Sequence, residues 1–76
     1  MNTFSDRLQK AMVDAGLTQA ELAMKVGVSQ PAIWRLVAGK TNTTRKLVEI
    51  ANALGVSPEW LSTGKNHVPH RQGYVI

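Results

Sequence analysis

The sequence predicts an all-α fold, a compact bundle of five short helices. Apolar residues recur at intervals of three and four along most of the chain, as they do on the buried face of a helix. Residues that cap or end helices interrupt this pattern at short intervals. No segment shows the sustained alternation of apolar and polar residues that is typical of a half-buried strand. These observations predict that residues 1–64 form one helical domain.

The length of the chain limits what this bundle can be. A chain of 76 residues makes one small domain, which excludes a doubly wound nucleotide-binding fold, a barrel or a two-lobed enzyme. Such a domain buries only about 60% of its unfolded surface, so its core is thin. Because the chain contains no cysteine, neither a disulfide nor a thiolate-bound metal can reinforce it. Its stability is expected to come from helix packing and dimerisation.

The first two helices have clear start and stop signals. Thr3 is the expected N-cap of the first helix, and Gly16 ends it. Its apolar residues follow helical spacing: Phe4, Leu8, Ala11, Met12 and Ala15. The second helix opens with a capping box, in which the side chains of Thr18 and Glu21 each accept a hydrogen bond from the other's backbone amide. Gly27 ends this helix after two turns.

The third helix begins after Ser29, its expected N-cap. Pro31 fits the first turn, where no intrahelical bond needs the missing amide, and Gly39 closes the helix. Its buried stripe consists of Ile33, Leu36 and Val37. The polar connection over 40–44 supplies hydroxyls that can cap the fourth helix, which Gly55 ends. The inner face of the fourth helix consists of Leu47, Ile50, Ala51 and Leu54.

A cap followed by a proline, Ser57-Pro58, marks the start of the short fifth helix. Its apolar anchors are Trp60 and Leu61, and Gly64 ends it. Helical periodicity is lost over 65–76, which predicts a flexible tail or the start of a linker. No apolar run approaches the roughly 18 residues of a membrane span, and no signal peptide precedes the domain. We therefore expect a soluble protein without a membrane partner.

The basic residues are concentrated in one segment of the chain. The net charge is +4, and acids and bases balance over residues 1–27. Residues 28–46 contain no acidic residue and four basic ones: Arg35, Lys40, Arg45 and Lys46. A localised patch of this kind suits a polyanion such as nucleic acid, although a solvated basic face has the same composition.

Residues 19–38 have the features of a helix-turn-helix. Two short helices are joined by the turn Gly27-Val28-Ser29, in which glycine accepts a positive φ without steric cost. Small Ala23 lies where the two helices must cross, so the second helix, at about 30–38, can approach the first closely. This is the arrangement that a DNA-binding helix-turn-helix requires.

A series of motifs extends this pattern over about residues 4–64. They are Leu17-Thr-Gln-Ala-Glu-Leu-Ala23, Val26-Gly-Val-Ser-Gln30, Ile33, Gly39-Lys40, Ala53-Leu-Gly-Val-Ser57 and Trp60-Leu61. In this order, and without detectable gaps, they resemble the lambdoid phage repressor and Cro proteins, the XRE-type family. The resemblance implies a lambda-repressor-like bundle of five helices, with the third helix lying in the major groove of double-stranded DNA.

The outward face of the third helix is expected to contact bases. At about 100° per residue, Pro31 and Arg35 point away from the buried stripe, and Trp34 lies on a flank. The resemblance implies base contacts at the helix start and one turn later, by Gln30, Pro31 and Arg35. Gln30 can form two hydrogen bonds with adenine and Arg35 two with guanine, whereas Pro31 offers only an apolar contact, such as one to a thymine methyl group.

Other residues are expected to contact phosphates. Gln19 and Ser29 resemble the phosphate contacts at helix N-termini in this family, and Gln19 is also placed to support Gln30. By the same resemblance, four residues after the third helix hold the DNA backbone: Lys40, Asn42, Thr43 and Arg45. Trp34 stands where related proteins more often carry a small or polar residue. It is a candidate for DNA contact, and packing on a neighbouring element is its alternative.

Two further features bear on packing and assembly. The family often pairs an Arg in the first helix with a Glu at the end of the third, where this chain has Met12 and Val37, an apolar contact that can be neutral or stabilising. A dimer is expected through the fifth-helix region, around Pro58, Trp60 and Leu61, with Trp60 also a candidate for the core. Two third helices would then lie about 34 Å apart on one face of a near-palindromic operator.

The predicted function is that of a dimeric, sequence-specific repressor of phage or prophage type, which occludes promoter DNA in the bacterial cytoplasm and near the nucleoid. An antitoxin-type autoregulator and a protein-interaction module without DNA binding stay open as alternatives; the acid-free segment argues against the second. The chain could be a complete Cro-like protein or the N-terminal domain of a longer repressor. No catalytic set, cofactor or small-molecule ligand is expected. His67 and His70 lie in a segment without other ligands, so a metal site is not expected either.

Overall fold

The computed structural model describes residues 3–41 and 44–65 and confirms the all-α prediction for that part of the chain. The five helices are α1 (Phe4–Ala15), α2 (Gln19–Val26), α3 (Gln30–Val37), α4 (Leu47–Leu54) and α5 (Pro58–Thr63). All of the predicted helices are present and none of the described residues is in a strand. Apart from Lys65, the predicted tail lies outside the described residues.

The helix starts follow the predicted capping residues. The Thr3 side chain accepts a hydrogen bond from the Asp6 amide at 3.1 Å, and Thr18 and Glu21 form the complete capping box, with distances of 3.1 and 2.9 Å. Ser29 and Ser57 cap α3 and α5 in the same way. Each cap satisfies an amide that has no partner within the helix. The local sequence therefore determines where these four helices begin.

The start of α4 differs from the prediction that a hydroxyl caps this helix. Lys46 occupies the N-cap position, and its side chain makes no capping hydrogen bond. The hydroxyl of Thr44 instead accepts from the amide of Lys46 itself at 3.1 Å, before the helix starts. The polar connection thus orders the residue that precedes the helix rather than an amide of the first turn.

The core lies among the five helices, and each of them contributes a fully buried side chain. Leu8 of α1, Leu22 of α2, Ile33 of α3, Ile50 of α4 and Leu61 of α5 are each fully buried. They belong to one cluster of buried apolar side chains, against which Val37 packs from its edge. Met12 is also in this cluster, so both of the positions at which the XRE-type family often has an ion pair carry apolar residues of the core or its edge.

One charged side chain, that of Arg7 on α1, is part of this core. It is only 7% exposed, and it donates hydrogen bonds from Nε to the Leu61 carbonyl at 2.9 Å and from Nη2 to the Ser62 carbonyl at 3.1 Å. These carbonyls are in the last turn of α5, where the helix offers them no amide. Arg7 therefore fixes the end of α5 to α1, a role that the sequence pattern did not reveal.

Candidate functional site

The candidate site is built on the crossing of α2 and α3, which pack directly against each other. Ala23 is only 4% exposed at this crossing, and its carbonyl accepts hydrogen bonds from the amides of Gly27 at 2.8 Å and Val28 at 3.0 Å. Gly27 has φ +83°, the left-handed conformation that a side chain disfavours. The two helices thus form a tight helix-turn-helix unit.

The outward face of α3 carries the side chains that were expected to contact bases. Gln30, Pro31 and Arg35 are all exposed, while Ile33 and Leu36 on the opposite side are buried. For Pro31 and Arg35 this division follows from helical geometry, because they lie on the side of the helix away from the buried residues. Gln30 is exposed as the first residue of the helix. The face is available to a ligand, and it contains an amide, an apolar ring and a guanidinium group.

Trp34 lies on the flank of this face and is 48% exposed. Together with Gln19, Gln30 and Pro31 it lines an open depression of about 310 Å³. About half of the Trp34 side chain is therefore accessible to a ligand, and the other half is covered by the domain. Gln19 of α2 and Gln30 of α3 border the same depression, so the structure brings these two amides to one place.

The segment after α3 lies next to Arg35. A shallow cleft of about 150 Å³ has Arg35, Thr41 and Thr44 among its lining residues, and the Lys40 amide donates to the Arg35 carbonyl at 2.9 Å. All four cations of the acid-free segment are exposed: Arg35, Lys40, Arg45 and Lys46. The predicted phosphate contacts Asn42 and Thr43 lie outside the described residues.

The predicted phosphate contacts at helix starts have different environments. Gln19 is half-buried and is the first residue of α2, whereas Ser29 is exposed and precedes α3. The Ser29 hydroxyl accepts from the Ala32 amide at 3.4 Å, which makes it the cap of α3. Amides in the first turn of a helix have no partner within the helix and can bind an anion.

Two α1 residues that sequence reasoning missed hold the end of α3. The Ser5 hydroxyl donates a hydrogen bond to the Val37 carbonyl. The Gln9 side-chain amide donates to the same carbonyl and to the Ser5 hydroxyl, at 3.0 Å in each case. The three preceding carbonyls of α3 accept from the amides of 38–40, so all four terminal carbonyls are satisfied. The spacing of Ser5 and Gln9 puts them on one face of α1, but nothing local indicates a partner in α3.

The residues predicted for the dimer interface are largely internal. Trp60 and Leu61 are buried in the core of the monomer, whereas Pro58 is half-buried at the start of α5. Burial assigns Trp60 to the core, one of its two expected roles. A second copy docking here would contact Pro58 and its exposed neighbours more than the two apolar anchors.

The described residues provide no basis for other types of site. In residues 3–41 and 44–65, no three side chains of His, Cys, Asp or Glu are grouped so that they could hold a metal ion. His67 and His70 lie outside these ranges. None of the helices in the described part is both long and apolar enough to cross a membrane.

Comparison with known proteins matches the same region of the chain. A family model described as Helix-turn-helix matches residues 8–61. The HTH-type transcriptional regulator PrtR of Pseudomonas aeruginosa is 53% identical over 64 residues, which cover 84% of this chain and 25% of that protein.

Two further relatives come from mobile elements. The HTH-type transcriptional regulator for conjugative element SXT of Vibrio cholerae is 40% identical over 68 residues, 90% of this chain and 32% of that protein. Repressor protein C of Rhizobium phage 16-3 is 41% identical over 59 residues, 78% of this chain and 22% of that protein. The chain thus spans about a quarter to a third of the length of the curated relatives it matches.

Proposed function

Because this chain belongs to the helix-turn-helix family, in the XRE-type form that lambdoid phage repressors and Cro proteins carry, we propose that it binds operator DNA sequence-specifically and represses transcription. The observation that carries the proposal is the exposed face of α3, which combines Gln30, Pro31 and Arg35 with a segment free of acidic residues. The similarity to regulators and to a phage repressor supports it. The site of action would be the bacterial cytoplasm, close to the nucleoid.

In the proposed complex, α3 lies in the major groove with its outward face toward the bases. Gln30 forms two hydrogen bonds with an adenine, and the planar guanidinium of Arg35 forms two with O6 and N7 of a guanine. Pro31 makes an apolar contact between them. The buried side of the same helix rests on the core, so the side chains that contact bases are presented from a rigid element.

Phosphate contacts would surround this face and fix its register. Lys40 and Arg45 are exposed cations on either side of the connection that follows α3. Gln19 and Ser29 mark helix starts whose free amides suit an anion. Such contacts supply affinity without sequence preference, and each one adds to the salt dependence of binding.

Repression in this proposal requires two copies on one operator. A pair of domains associated near Pro58 would put two α3 helices about 34 Å apart, which corresponds to one turn of DNA. The operator would then be a near-palindrome, and the bound dimer would block access to promoter DNA. No chemical step is involved.

The test is selection of binding sites from random double-stranded DNA with the 76-residue chain, followed by gel shifts at several salt concentrations. We expect a near-palindromic consensus and an affinity that falls steeply as salt rises. If no sequence is enriched and no shift appears even at low salt, the chain is a protein-interaction module and the proposal is wrong. Enrichment of a single asymmetric half-site would retain DNA binding but contradict the dimer.

A further inference from the structure

The depression beside α3 has an unusual composition for a surface that faces solvent. Two of its four lining residues, Pro31 and Trp34, are apolar, and the other two, Gln19 and Gln30, end in amides. Trp34 leaves about half of its large indole in water. Covering exposed apolar surface of this size with another apolar group is favourable, because it removes that surface from water.

We propose that Pro31 and Trp34 form a pocket for the 5-methyl group of a pyrimidine in the major groove, next to the base pair that Gln30 contacts. This inference rests on the proposed function and specifies which bases the site prefers. The thymine methyl is the one apolar group that the four standard base pairs present in the major groove. Because Pro31 and Trp34 line one depression, their rings can together cover a methyl group, whereas a cytosine or uracil edge leaves both rings exposed.

The surroundings of the depression favour DNA as the occupant. Arg35 and Lys40 are both exposed and lie in the segment that contains no acidic residue. Their positive charge favours a polyanion over a protein surface of mixed charge. The Gln30 amide borders the same depression and has the donor and acceptor that match adenine N6 and N7. An adenine contacted by Gln30 is paired with thymine, and neighbouring A·T pairs supply the methyl group that the two rings would cover.

The experiment removes the methyl group without changing base pairing. Each thymine of the selected operator is replaced in turn by deoxyuridine, and the affinity of the chain for each duplex is measured. We expect one thymine per half-site at which the replacement weakens binding by about fourfold, the factor that corresponds to one buried methyl group. We call the ratio of the two affinities, thymine over deoxyuridine, the deoxyuridine penalty. In Trp34→Ala this ratio should fall to nearly one, and in Trp34→Phe, which keeps a ring, it should lie between one and the wild-type value.

A matched control removes another exposed apolar side chain. Met24 on α2 is 79% exposed and lines a separate depression with Leu17, Glu21 and Lys25, so Met24→Ala should keep the full deoxyuridine penalty. The penalty is a ratio of two affinities within one variant. A partly unfolded preparation would lower both affinities alike and leave the ratio unchanged.

A second arm of the experiment distinguishes the two sources of a 5-methyl group. Cytosines of the operator are replaced by 5-methylcytosine in the same duplex. If deoxyuridine has no effect but 5-methylcytosine strengthens binding in a manner that needs Trp34, the pocket takes the methyl group of a modified cytosine.

Two outcomes would overturn the inference: no methyl group affects binding, or its effect is the same in wild type and Trp34→Ala. Neither outcome would affect the proposed function, because both are measured on a duplex that the wild-type chain binds specifically. Failure to obtain any selected operator would instead contradict the proposed function itself.

Discussion

Arg35 offers the sharpest test of the proposed sequence recognition by α3. Its side chain is exposed on the outward face of α3, one helical turn beyond Pro31, and its guanidinium has the planar pair of donors that matches guanine O6 and N7. We expect Arg35→Ala to cost about 1–3 kcal/mol per half-site on the selected operator, which is roughly a 5- to 150-fold loss of affinity. Binding to unrelated DNA should change by much less.

The same substitution should hardly alter stability. The side chain is exposed, and the backbone carbonyl of Arg35, which accepts from the Lys40 amide, is unaffected by truncation. Alanine is also at least as good a helix former as arginine. Thermal unfolding should therefore show a melting temperature within about 2 °C of the wild type, since a larger shift would require several tenths of a kcal/mol.

The assay compares wild type and Arg35→Ala on the operator and on duplexes in which each guanine is replaced. Wild type should lose affinity at one guanine per half-site, and the variant should be indifferent to that replacement. Arg35→Lys keeps the charge but not the planar pair of donors, so it should show little of the wild-type discrimination between bases. Lys25→Ala, which removes an exposed cation from α2, is the matched control for charge. Identical base preferences in wild type and Arg35→Ala would mean that Arg35 contacts phosphate only, and the assignment would be refuted.

Three further predictions concern the proposed contacts with DNA phosphates and the packing of the helices. Lys40→Ala and Arg45→Ala should each lower the slope of log affinity against log salt by about 1 and weaken all sequences alike; unchanged slopes in both variants would remove them from the phosphate contacts. Ala23→Leu overfills the crossing of α2 and α3 and should cost about 1–3 kcal/mol in urea unfolding, and an unaltered midpoint would show that the crossing is not tight. Arg7→Met leaves two carbonyls at the end of α5 without their donor and should cost about 1–3 kcal/mol, lowering the melting temperature by several degrees; wild-type stability would show that the buried guanidinium is dispensable.

The helices could be predicted because their signals are local. A cap such as Thr18 and the amide that it satisfies are three residues apart, and Gly27 ends α2 through its own backbone conformation. The division of α3 into a buried and an exposed side follows equally from the spacing of Ile33 and Leu36. These features need no knowledge of the tertiary structure.

The contacts that escaped prediction connect residues that are far apart in the chain. Arg7 is one of the charges that balance over residues 1–27, and the sequence pattern gives no sign that it is buried and donates to carbonyls of α5 more than fifty residues away. Ser5 and Gln9 look like ordinary polar residues of an exposed helix face until α3 is placed against them. Side-chain partners of this kind depend on how the helices pack, and local patterns carry no information about that.

The attachment of α3 to α1 has a consequence for how binding experiments can be interpreted. The Ser5 hydroxyl and the Gln9 amide, which donate to the Val37 carbonyl, carry no formal charge. Added salt therefore has no ionic attraction to weaken in these hydrogen bonds. Raising the ionic strength should therefore weaken the proposed phosphate contacts with DNA while α3 stays attached to α1. Affinities measured along a salt series would then all refer to the same protein conformation. The affinity that persists at high salt would measure the proposed contacts between α3 and the bases.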